Sequence, residues 1–361
     1  VSATSDVVVV GQGLAGSLLV HALTEHGLQV TVLDPGHAQA ASMAAAGSLS
    51  PCTGHRYTAP SPLRAWLSPA LALWSEIGAR LGIQLIRPLP VCRLFREPAE
   101  AEQVQRRRAT DATLARVLSA PQSGSPMGLA SAPGHVHSAT WQVDLPGFLE
   151  RTRAWLMHTG RLITAGLPNG LPLPTPDRAG WLGLELGGTQ IRARALVLCQ
   201  GGNGPNVSAL RDLPWRLSRG TALYLASHAN FPMHGVSREQ ALLPLGDGRY
   251  WLGASYARVQ PGVLGDTPPV SERESVLEGL SALLARPPAT SVLEWRTGVR
   301  PGSRTDAPFC APLPNQPGVH VFNGLGSRGS LLGPRCALAL ATHIANGAPL
   351  DPAWNPWHRR A

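Results

Sequence analysis

The chain opens on an apolar run in which four valines follow Asp6, the pattern of a parallel strand buried on both faces. Three glycines follow, and the apolar period then lengthens. Leu18, Leu19, Ala22 and Leu23 fall on one side of a helix over 17–26. A second apolar strand over 29–33 ends at Asp34. Helices are expected at 62–82, 98–119 and 270–284, with another capped by Asp144 and running to about 158, and a last one over 330–346. Strands are expected at 84–95, 161–164, 182–191, 195–199, 223–226, 241–244, 250–256 and 319–323. The Pro, Gly and Ser content of 120–138 predicts a loop between two lobes.

The first strand, the glycines and the helix occur in an order with chemical meaning. Gly11 permits a tight turn, Gly13 lets the backbone approach phosphates, and Gly16 lets helix pack on strand. With Leu14 and Ala15 between them, the first N–H groups of the helix face an anion. Asp34, followed by Pro35, lies about 20 residues further on, where a carboxylate bonds a ribose hydroxyl. An acid there favours an unphosphorylated ribose, as in NAD or FAD, and does not choose between them.

Other segments fit a flat ligand. The run 40–51 is rich in small residues, among them Ala41, Ser42, Ala46, Gly47 and Ser48. These let a backbone pass close over a ring system, although close helix packing would use them as well. A third buried strand ends at Gly201. Late in the chain Gly324, Leu325, Gly326, Ser327, Arg328, Gly329 and Ser330, with Leu331 behind them, lead straight into the last helix. The positive end of that helix faces whatever the loop holds.

Composition adds limits. At 361 residues the chain exceeds the ~250–300 at which single cores stop growing, so two lobes are expected. Net charge is +9 and all 31 basic residues are arginine. Lysine Schiff-base and lysine general-base chemistry are therefore excluded. Basic excess can draw an anionic partner such as RNA, whereas Arg106, Arg107 and Arg108 read more simply as a solvated helix face. The five cysteines show no C-x-x-C spacing, which suggests buried free thiols and neither a metal site nor a disulfide framework. No run of 18 apolar residues is present and the first strand begins at once, so a soluble cytoplasmic protein without a membrane partner is expected.

Taken in order, these segments resemble the D-amino-acid-oxidase-type FAD proteins. The resemblance is carried by 11–16, Asp34, 44–47, 196–202, Gly253-Ala254-Ser255-Tyr256, Gly298-Val299-Arg300-Pro301 and 324–334, and covers nearly the whole chain. Glycine oxidase and the oxidase domain of the bifunctional tRNA 5-methylaminomethyl-2-thiouridine enzyme are the members it looks most like. It implies an α/β fold in which a Rossmann-like FAD-binding domain of glutathione-reductase type (1–60, 139–205 and 297–361) carries a second, mixed antiparallel-sheet substrate domain (61–138 and 206–296). It implies FAD, held noncovalently because Ala44 stands where relatives link the flavin and no cysteine lies near Arg300.

The implied activity is oxidation of a C–N bond in an amino acid or related amine. A hydride passes to flavin N5, the imine hydrolyses, and oxygen or another acceptor takes the electrons. Arg300 matches the family's carboxylate-binding arginine, and Tyr256 falls on a position that faces substrate. Arg328 stands one place beyond a second substrate arginine, whose own position is Ser327. Ala241, near the position of a tyrosine, implies a roomier pocket. Two further readings remain open: a tRNA-modifying oxidase removing a glycine-like side chain from a wobble uridine, and a flavin- or NAD-binding protein with little catalytic role.

Overall fold

The computed structural model describes residues 2–167, 172–227, 231–263 and 267–357. Its first sheet has seven strands, with Ser2–Val10 lying parallel between Val30–Leu33 and Thr189–Leu198. Leu162–Ile163 continues the parallel set on one side and Val319–Asn323 on the other. Val10, Leu33, Leu198 and Asn323 therefore end on one edge, the carboxyl edge at which α/β sheets bind ligands. Helices Leu14–Glu25 and Gly329–Asn346 pack together on this sheet through Leu18, Leu19, Leu332 and Leu340.

The second sheet has nine strands. Its long members, Trp215–Ala226 and Ser291–Ser303, pair antiparallel along most of their length. Arg249–Gly253, Ala241–Gly246 and Gly235–Ser237 follow, and Val91–Leu94 joins parallel to the last of these. This is the expected α/β architecture, a parallel dinucleotide-type sheet beside a mixed, mostly antiparallel one. The strand Ser291–Ser303 also touches the cofactor half. A Cβ on Gly298 would lie 2.6 Å from Ala41 Cα, and Gly302 forms an antiparallel bridge with Leu325.

Several elements differ from expectation for identifiable reasons. The helix expected over 98–119 is two, Ala99–Thr110 and Ala112–Val117, because the Asp111 carboxylate accepts from the N–H groups of Thr113 and Leu114 and starts a new helix. The strand expected over 84–95 is split into Ile86–Pro88 and Val91–Leu94 by prolines at 88 and 90, which cannot donate to a ladder. The stretch 120–138 is not a plain loop, since Gly134–Ser138 and Gln122–Ser123 extend the second sheet. The strand expected to run through Tyr256 ends at Gly253. Ser291–Ser303 went unread, its pattern masked by Gly298, Pro301 and Gly302.

Two boundaries also fall differently from the expected division. Helix Leu63–Leu81 packs on Gly329–Asn346 and Leu145–His158, in the core of the cofactor half, although it lies within 61–138. Residues 297–303 continue a strand of the second sheet, although they lie within 297–361. Among the described residues no helix is long and apolar enough to cross a membrane.

Candidate active site

The three early glycines do different jobs. Gly11 adopts φ +100°, and a Cβ there would lie 2.6 Å from the Cys199 carbonyl oxygen. A Cβ on Gly16 would lie 1.9 Å from the Gly11 carbonyl oxygen, so Gly11 serves the contact with the neighbouring strand end and Gly16 the contact of strand with helix. Gly13 is different: a Cβ there would meet nothing nearer than Ala40 Cβ at 4.0 Å, and its open side is a cavity wall. The helix starting at Leu14 has no side-chain cap on its N-terminus, which leaves its first N–H groups free for an anion.

From this point a cavity of about 1410 Å³ runs between the two sheets. A single small ligand usually occupies about 300–1,000 Å³, so there is room for a dinucleotide and a substrate together. Most of the expected residues line it: Gly11, Gly13, Leu14, Ala15, Asp34 and Pro35 at one end, then Ala41, Ser42, Ala46, Gly47 and Ser48 along the side. Gly201, Leu325, Gly326, Ser327, Gly329 and Ser330 close it from the cofactor sheet, and Arg300 and Tyr256 from the other.

Four expected residues stay out of the walls. Gly16 is covered by the turn above it, and Gly324, at φ +74°, packs on the Phe309 ring. Leu331 is buried in the helix core. Arg328, expected near the substrate, turns away and donates to the Asp306 carbonyl at 3.2 Å. The Asp306 carboxylate is paired with Arg216, so it does not neutralise Arg300 either.

At the ribose end Asp34 is fixed by three donors. Its Oδ2 accepts from Gln12 N–H at 2.7 Å, and its Oδ1 from Gly36 N–H at 2.8 Å and Arg153 Nη1 at 2.9 Å. Arg153 and Gln12 escaped the sequence reading; the available signal was the helix starting after Asp144, which brings Arg153 back beside the first turn. Along the wall, His37 Nδ1 and Gln200 Oε1 are buried with no hydrogen-bond partner, polar atoms that a bound ligand would satisfy. Burial, then the Arg153 charge, pushes the His37 pKa down. Free helix N–H groups, a held carboxylate, a channel of small residues and unpaired polar atoms together fit a dinucleotide.

The small-residue segment is pinned from both halves. Trp251 Nε1 donates to the Ala44 carbonyl at 3.0 Å, and Arg296 Nη1 and Tyr224 Oη donate to the Met43 carbonyl at 3.0 and 3.3 Å. From the other side Gln142 Nε2 donates to the Ala46 carbonyl at 3.2 Å. At the far end Asn323 ties two loops together, donating to the Gly201 carbonyl at 3.1 Å and accepting from Gly324 N–H at 2.8 Å. Trp74 Nε1 holds the Ser330 carbonyl at 2.8 Å in the first turn of the last helix.

The opposite wall of the cavity is organised around Arg300. Its guanidinium lies over Gly220, where a Cβ would come within 1.9 Å of it, so the glycine provides its seat. Its hydrogen bond is a long one, 3.5 Å from Nη1 to the Ser255 carbonyl, and among the described residues no carboxylate lies within ion-pairing distance. Burial pushes its pKa down, opposed by the nearby Tyr256 and Glu272.

Glu272 is the acid that could have quenched this charge, and it is saturated. Its Oε1 accepts from Arg219 Nε and Nη2 at 2.8 and 2.7 Å, and its Oε2 from the Thr221 and Ser255 hydroxyls at 2.6 and 2.9 Å. A carboxylate has about four lone-pair sites, and all are filled. Burial raises the Glu272 pKa, but the hydrogen bonds of Arg219, Thr221 and Ser255 and the Arg219 charge outweigh it and hold the pKa below 4.5. The Arg300 charge is thus left for a ligand. Tyr256 stands 58% exposed at the cavity mouth on the turn after Gly253. Ala241 packs in the sheet core against Trp251 and is not a wall.

A channel whose far end is met by a helix N-terminus and whose open side carries an arginine with no carboxylate partner among the described residues has the form of a dinucleotide-binding oxidoreductase site. The chain belongs to the FAD dependent oxidoreductase (DAO) family, whose profile matches residues 6–343, and it is an FAD-dependent enzyme. In sequence it is 28% identical over 394 residues to the tRNA 5-methylaminomethyl-2-thiouridine biosynthesis bifunctional protein MnmC of Polaromonas naphthalenivorans, over 96% of this chain and 58% of that one. The chain thus spans little more than half the length of that relative. It is 26% identical over 370 residues to the glycine oxidase of Pseudomonas aeruginosa, covering 96% of this chain and 97% of that one. In structure it is similar to glycine oxidase from Geobacillus kaustophilus, with a TM-score of 0.81, 18% identity and 98% of each chain covered.

Proposed function

We propose that the protein oxidises the C–N bond of an amino acid or related amine whose carboxylate is held by Arg300. The carrying observation is that Arg300 stands half-buried on the cavity wall with no carboxylate partner among the described residues, while the acid whose charge it feels, Glu272, is fully engaged by others. Noncovalently bound FAD would supply the acceptor for the hydride, which carries both electrons of the oxidation. The chain's own residues supply position. Arg300 fixes one end of the substrate and so the direction of its reacting C–H bond, the orientation effect on which such a reaction depends. Ser255 and Thr221 hold the turn that carries the Arg300 contact, and Tyr256 borders the entrance. The N-terminus of Gly329–Asn346 offers its positive end to negative charge at the ring end of the channel. Arg328, expected to share this work, is proposed to have only a structural role.

The decisive experiment is anaerobic mixing of the FAD-loaded protein with a panel of amino acids, N-methyl amino acids and tRNA. Loss of the yellow flavin absorbance with carboxylated amines supports the reading. Full colour with every amine removes it. A second reading, oxidation of a glycine-like group on a tRNA base, is favoured by the relatedness to MnmC and by the net charge of +9. It predicts bleaching by suitably modified tRNA alone.

A further inference from the structure

Away from the cofactor cavity, neighbouring strands of the second sheet bring a sulfur and several imidazoles to one buried face. Cys92 lies on Val91–Leu94, and the register of that strand with Gly134–Ser138 sets it opposite His137, two residues from His135. One donor atom from each of Cys92, His135 and His137 lies within 4.8 Å of the others. Cys92 is 0% exposed and His135 5% exposed, on a face otherwise covered by Leu94, Leu129 and Val236. None of the three lines the cofactor cavity.

Two hydrogen-bonding facts sharpen this. His135 Nδ1 lies 2.9 Å from the Gly124 carbonyl oxygen, which can only accept. Nδ1 therefore carries the proton and Nε2 presents a bare lone pair. A backbone carbonyl gripping one ring nitrogen is the arrangement that fixes tautomer and direction in metal-binding histidines. The second fact concerns His234. Val236 pairs with Cys92 from the other side, and His234 stands in the bend that leads into that strand, two residues before Val236. Its ring is 6.4 Å from that of His137, and its Nε2 is buried with no partner.

We propose that Cys92, His135 and His137, with His234 as the fourth donor, form a metal site for a divalent ion that favours mixed thiolate and imidazole ligands, with Zn²⁺ the best match. Tetrahedral ligands at 2.0–2.3 Å from an ion stand about 3.5 Å apart, so the three donors need to close by roughly 1 Å, within the reach of small side-chain rotations. Four protein donors leave no open position, which makes the site structural. It fastens Gly134–Ser138, Val91–Leu94 and the approach to Gly235–Ser237 together, on the sheet face opposite Val91 and Trp251. Sequence spacing could not announce it, because Cys92, His135 and His234 meet only through strand register.

The test is titration of chelator-stripped, FAD-loaded protein with Co²⁺. One equivalent should bind, giving tetrahedral bands to the red of the flavin absorption and a sulfur-to-metal charge-transfer band. Cys92→Ala should abolish the charge-transfer band. His137→Ala, at a less buried position, should weaken Co²⁺ binding by more than about 100-fold. An unchanged flavin spectrum certifies that each variant is folded, and His137→Ala carries the test if Cys92→Ala does not fold. Absence of stoichiometric Co²⁺ binding to the parent protein, or binding undiminished in folded His137→Ala, overturns the proposal.

Discussion

The two sides of the cavity are built from different material. The cofactor side is backbone: glycines with specific conformations, an uncapped helix end, small residues held by carbonyl contacts, and one oriented carboxylate at Asp34. The opposite side, where we propose the substrate binds, is side chains: Arg300 seated on Gly220, and a carboxylate at Glu272 shared among Arg219, Thr221 and Ser255. A backbone cradle recognises what all dinucleotides share and is disabled by added bulk. A charge network selects one kind of substrate and is disabled by a lost charge.

The contrast is broken most sharply on the cofactor side. We expect Gly13→Val to abolish FAD retention, more than 100-fold in affinity, while the apoprotein keeps its far-UV circular dichroism, because the new methyls enter only the channel. Gly16→Ala should instead destabilise the whole fold, since its Cβ would strike a carbonyl oxygen at 1.9 Å. A yellow Gly13→Val protein would refute the cradle.

On the substrate side, Arg300→Ala should raise KM for a carboxylated amine by roughly 10- to 100-fold, the effect of losing about 1.5–3 kcal/mol of charge-assisted hydrogen bonding, with the flavin spectrum unchanged. Steady-state kinetics beside that spectrum decide it. Glu272→Gln should cost about 2–3 kcal/mol in denaturant melts, because it strips Arg219 of its partner in a largely buried place.

Acid separates the two halves. Burial, and then Arg80, push the His21 pKa down to about 3, so it is held neutral between Thr152 and Arg80 in the cofactor half. A lowered folded pKa means that stability is full above the ordinary 6.5 and erodes as pH falls from there toward 3. The Glu272 contribution is full above 4.5 and is lost only as pH falls through its lower folded value. Flavin release, followed by fluorescence, should therefore precede loss of the substrate sheet as pH is lowered, and the reverse order would contradict the assignment. The smallest effect belongs to Arg328→Ala: less than about 1 kcal/mol in stability and no more than about threefold in KM.

The same contrast explains what could be read from the sequence. Strand, glycines, helix and terminal acid are local, so Gly11, Gly13, Gly16 and Asp34 were legible from spacing alone. Arg300 was found by resemblance, but what makes it useful was not: Arg219, Thr221 and Glu272 lie some 28–81 residues before it and meet only because Trp215–Ala226 pairs with Ser291–Ser303 and a helix covers them. Arg328 failed for a related reason, since one position along a tight loop sends a side chain toward Asp306 and away from the channel. Arg153 reached Asp34 from another helix altogether.

The strand Ser291–Ser303 carries a mechanical consequence. It is laced to the second sheet along its length, touches Ala41 at Gly298 and bridges Leu325 at Gly302, so it acts as a seam sewn between the two sheets. Sheets stitched in this way resist gaping like a jaw to admit a guest. Traffic is left to the rim, where the half-uncovered ring of Tyr256 stands as the doorpost.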